Sequence, residues 1–75
     1  MNSSDIVIHI DETLSDEHIH DLERQIGAER GVHAACVPEK TRHLLVVDYD
    51  PAALRPSAIV DSVRSWGFHA QMVGL

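Results

Sequence analysis

The chain has 75 residues, of which 44% are hydrophobic and 24% charged, the balance of an ordinary globular protein rather than a disordered or fibrous one. Folding a chain of this size buries only about 60% of its unfolded surface, so one compact domain over residues 1–75 is expected, with every core position used. Twelve acidic against six basic residues give a formal net charge of -6, which opposes nucleic acid and anionic membrane as partners.

No apolar run approaches the roughly 20 residues that span a bilayer, and the opening MNSSD has neither the basic start nor the apolar segment of a signal peptide. A cytoplasmic setting is expected. The single cysteine, Cys36, excludes an internal disulfide framework. Six histidines are a high share for 75 residues, and histidine is both the commonest metal ligand and the side chain that titrates near neutral pH.

In chain order, DIVIHI over 5–10 is β-branched and bounded by acidic residues, which predicts a strand with Ile6, Ile8 and Ile10 on one face and Val7 and His9 on the other. Asp11 to Leu14 reads as a polar loop. Ser15 is placed as an N-cap, and Asp16 and Glu17 follow where carboxylates complement the positive end of a helix. Ile19, Leu22 and Ile26 recur at helical spacing up to Gly31, predicting a helix over 16–30. Two strands over 32–38 and 43–49 are joined by a polar turn containing Pro38. Asp50-Pro51 breaks the pattern, and Pro56 suits the first turn of a second helix over 56–66, with Ile59 and Val63 as its apolar stripe. Gly67 ends it, and a short strand over 68–73 closes the chain.

That order predicts an α+β fold, the ferredoxin-like βαββαβ sandwich, with a four-stranded antiparallel sheet and two helices on one face. The first and third strands are expected to be central neighbours. The core is expected to include Ile8, Ile10, Ile19, Leu22, Ile26, Val47, Ile59 and Val63. An internal echo supports two similar halves: GVHAACV over 31–37 returns as GFHAQMV over 67–73. Strict alternation from Val32 points Cys36 at the helices, whereas a β-bulge would turn it to the open face of the sheet.

These residues resemble the heavy-metal-associated domain of soluble copper chaperones and of the N-terminal modules of metal-transporting P-type ATPases. The likeness covers nearly the whole chain. It is carried by Ile19, Leu22 and Ile26 leading to Gly31-Val32, by VVDYDP over 46–51, by Ile59 and Val63, and by Gly67-Phe68. That family carries Gly-Met-x-Cys-x-x-Cys before its first helix, two thiolates that hold a soft ion such as Cu(I). Counting back from Gly31 without gaps sets Glu12, Thr13, Ser15 and His18 at the glycine, methionine and two cysteines.

With both soft ligands replaced, imidazole and carboxylate suit Zn(II), Ni(II), Co(II) or Cu(II) better than Cu(I). The expected site has His18 as principal ligand, Asp11 or Glu12 assisting, and Ser15 in the loop. Cu(I) is expected to bind weakly through Cys36 or Met72, if at all. His20 lies about 200° around the helix from His18, so the two do not chelate together.

The resemblance implies a metal-delivery module whose partner is a metal-transporting ATPase. The competing reading is a metal-free interaction module that has kept Ser15 as a cap and pairs with itself or another protein through the open sheet face. Val7, Leu44, Val46 and Val73 are expected there, with His9, His69 and Gln71 among them. No nucleophile with its base, phosphate-binding glycine loop or paired acid suggests an enzyme.

Overall fold

The structure, a computed structural model, describes residues 3–73. The elements run β1 (Ser4–Ile10), α1 (Asp16–Gly27), β2 (Val32–Cys36), β3 (Leu44–Tyr49), α2 (Pro56–Ser65) and β4 (Ala70–Met72). The strands form one antiparallel sheet in the order β2-β3-β1-β4, so the first and third strands are central neighbours as expected. Alternation decides what each central strand buries. Ile6, Ile8 and Ile10 of β1 and Leu45, Val47 and Tyr49 of β3 point inward, in the register Ile6↔Val47 and Ile8↔Leu45. Leu22 and Ile26 of α1 and Ile59, Val60 and Val63 of α2 close over them in one cluster.

The core differs from expectation at two places. Leu14, read as part of a polar loop, is only 2% exposed and lies within the core cluster. One apolar side chain in a polar stretch carries no periodicity, so pattern reading passes over it. Ile19, expected in the core, is half-buried and packs against its edge.

Helix α1 stops at Gly27, three residues before the expected Arg30. The amide of Ala28 turns back to the carbonyls of Arg24 and Ile26, and that of Glu29 to Ile26 at 3.1 Å. The chain then reverses through Gly31, whose φ of 94° lies in the left-handed region that favours glycine. Strand β4 is shorter than 68–73, although backbone bonds continue past both ends: Asp11 N to His69 O at 2.9 Å, and Val73 N to Val7 O at 2.8 Å.

A register shift between Val32 and Ala34 leaves His33 as an extra residue in β2. Ala35 consequently pairs with Val47 on the helix side, and Cys36 pairs with Val46 on the open face, where it is exposed. The bulge settles the orientation that alternation alone left open. The same face carries Val7 opposite Val46, and His9 opposite Leu44 on one side and Gln71 on the other. Val7, His9, Leu44 and Val46 are half-buried there.

Candidate metal site

The loop from β1 to α1 and the approach to β4 meet at one end of the sheet. Ser15 caps α1: its backbone is extended, and its Oγ accepts from the amide of His18 at 3.1 Å. Arg42, from the turn before β3, donates to the carbonyl of Leu14 at 3.2 Å and to the carboxylate of Asp16 at 2.6 Å. These contacts fix the loop at both ends of its buried leucine.

His18 is exposed in the first turn of α1, with its ring edge-on to Phe68 at 5.8 Å between ring centres. It borders an open groove of about 350 Å³ that also takes in Asp21, Leu22, Arg24, Trp66 and Phe68. Trp66 is 53% exposed on that groove, beside His18. Arg24 is tied to Asp21 at 2.9 Å.

The two loop carboxylates face elsewhere. Glu12 accepts from the amide of His69 at 2.9 Å and from its ring Nδ1 at 2.5 Å. A carboxylate accepts only, so Nδ1 is the donor and Nε2 carries the free lone pair of the neutral ring. The hydrogen bond to the His69 side chain, with that to its amide, holds the Glu12 carboxyl below its ordinary value. The same side-chain bond, with the negative charge of Glu12, holds the His69 imidazole above its own. Asp11 places Oδ1 3.2 Å from Nδ1 of His9.

Of the expected ligands, Ser15 and His18 are therefore joined through the cap, while Asp11 and Glu12 pair with His9 and His69. The reason is strand geometry. The Asp11 amide still bonds to the His69 carbonyl, which carries the first loop residues along β4 rather than toward α1. Among the described residues, no three His, Cys, Asp or Glu side chains gather closely enough to hold an ion together. Cys36 lies on the open face of edge strand β2, while Met72 pairs with Ile8 on the helix side of the opposite edge, so they cannot share one soft ion.

Sequence reading missed His69 as the partner of Glu12 and His43 as a neighbour of His9. Only the echo GVHAACV/GFHAQMV hinted at the first, by setting a histidine just before the closing strand.

A copper-binding domain from the P-type ATPase HMA7 superposes with a TM-score of 0.83 at 18% identity, over 93% of each chain. Oxidized MerP from Ralstonia metallidurans CH34 gives 0.84 at 14%, over 96% of this chain and 99% of that one. The apo form of the copper chaperone of Enterococcus hirae gives 0.77 at 22%, over 91% and 98%. The fold is the ferredoxin-like sandwich of heavy-metal-associated domains. No family model matches the chain, and no curated protein matches it. The likeness is thus one of backbone architecture.

Proposed function

We propose that this protein is a small cytoplasmic module that binds a divalent transition metal, Zn(II), Ni(II), Co(II) or Cu(II), and passes it to a protein partner such as a metal-transporting ATPase. The observation that carries the reading is the position of His18, exposed in the first turn of α1 at the loop end of the sheet, with its ring edge-on to Phe68 and with Asp11 and Glu12 in the adjoining loop. The solved neighbours described as copper-binding support the same function class.

His18 is the principal ligand in this reading. Asp11 or Glu12 assists by leaving its present histidine, and Ser15 stays behind as the cap. One strong neutral ligand and a mobile carboxylate make a weaker site than a dithiolate, and one that discriminates against Cu(I). Amide chemical shifts during titration with each divalent ion near pH 7.5 test it. His18→Ala is expected to weaken binding by at least about tenfold. Equal binding by the two proteins removes His18 from the site.

The row Val7, Leu44, Val46 on the uncovered face favours a second reading, a metal-free interaction or dimerisation module. Absence of divalent binding by either protein, with a concentration-dependent mass abolished by Val46→Glu, would support it.

A further inference from the structure

We propose that His9 and His43 form a two-imidazole site for a divalent transition metal where the end of β1 meets the start of β3. The inference goes beyond the loop site and does not depend on it.

The rings belong to the two central strands and their approach. His43 precedes β3, its carbonyl accepting from the Ile10 amide at 2.7 Å, and His9 lies one residue earlier in β1. Their ring centres are 5.9 Å apart with an interplanar angle of 15°. Two imidazoles on one tetrahedral ion, with metal–nitrogen bonds of about 2.0–2.1 Å, have ring centres about 5 Å apart. The observed separation is about 1 Å wider than that, and both rings must also turn about their side-chain torsions to aim a nitrogen at one ion.

The ring of His43 is oriented by the backbone. Nδ1 of His43 lies 2.9 Å from the carbonyl oxygen of Ile10. A carbonyl only accepts, so Nδ1 carries the proton and Nε2 is the free lone pair. Nδ1 of His9 is buried without a hydrogen-bond partner, 3.2 Å from Asp11 Oδ1, so a polar nitrogen of this ring is left unsatisfied. A carbonyl behind the imidazole of His43 is one way metal-binding histidines are held. The pair supplies two neutral nitrogens and leaves the remaining positions to water or to a partner's ligand. That donor set suits Cu(II), Ni(II) or Zn(II), while a soft monovalent ion would find no sulfur in it.

The test uses Cu(II) at one equivalent on the His18→Ala protein, so that the loop site does not compete. The expected electron paramagnetic resonance spectrum carries the hyperfine pattern of two imidazole nitrogens. His43→Gln and, separately, His9→Gln should each reduce it to one nitrogen or none and weaken binding at least about tenfold, while His69→Gln leaves it unchanged. Amide spectra of the variants report whether each is folded. A one-nitrogen spectrum before either substitution, or a two-nitrogen spectrum that survives both, overturns the site. Loss of binding in His18→Ala alone, with Cu(II) bound by the unaltered protein, overturns it while leaving the loop site standing.

Discussion

Among the described residues, Gly31 and Gly67 offer a controlled comparison, because they share a φ of 94° and differ in what surrounds them. A Cβ at Gly67 would meet nothing within 4 Å, whereas at Gly31 it would lie 3.1 Å from Cβ of Leu54 and 3.3 Å from Cβ of Ala53. Alanine in the left-handed region costs about 1–2 kcal/mol, and that is the whole expected cost of Gly67→Ala. At Gly31 the crowding adds about 1–3 kcal/mol, since the opposing atoms are rooted on the backbone rather than at the ends of flexible side chains. Nor can the turn slide away, because the Asp50 amide bonds to the Gly31 carbonyl at 2.8 Å. The loss of unfolded-state freedom is the same for both substitutions and cancels in the comparison. Gly31→Ala should therefore lose about 2–5 kcal/mol in total, a large part of the stability of so small a protein. Urea unfolding followed by circular dichroism at 222 nm gives both values from the shift in midpoint at constant slope. A loss at Gly31 no greater than that at Gly67 would refute the reasoning.

Leu14→Ala should cost about 2–5 kcal/mol in the same assay, because the side chain is 2% exposed and belongs to the core cluster; a loss below 1 kcal/mol, roughly that of a surface change, would return Leu14 to the loop. The Glu12–His69 pair predicts a window of pH. His69 is raised above 6.5, so its contribution is complete below 6.5 and fades as pH rises through the raised value. Glu12 is lowered below 4.5, so its contribution is complete above 4.5 and fades as pH falls through the lowered value. The pair is thus fully formed between those two ordinary values. In an NMR titration His69 should be the histidine that Glu12→Gln moves back toward 6.5, and an unchanged His69 midpoint would contradict the pairing.

The architecture was legible because it rests on periodicity: Ile6, Ile8 and Ile10 at spacing two, and Leu22 and Ile26 at spacing four, stand where they were expected. The helix end was misplaced because Gly31 is a real left-handed stop, but for the turn that follows α1 rather than for the helix itself. The site was less legible for a different reason. Local sequence set Asp11 and Glu12 beside His18 along the chain, yet Asp11 meets its near neighbour His9, and Glu12 meets His69, which the pairing of β1 with β4 brings alongside. No local pattern encodes which of several nearby histidines a carboxylate will meet across strands. The stack of His9 on His43, 34 positions apart in the chain, belongs to the same class of information.

The sheet ends on one side in a strand broken by the His33 bulge and on the other in the three residues of β4. Neither edge offers another chain a long, flat row of free amides and carbonyls, so strand-by-strand growth into fibrils finds no template on either side. An apolar open face can then be displayed without the usual hazard of sheet proteins. A partner would then have to meet that face broadside, where side chains rather than backbone set who fits.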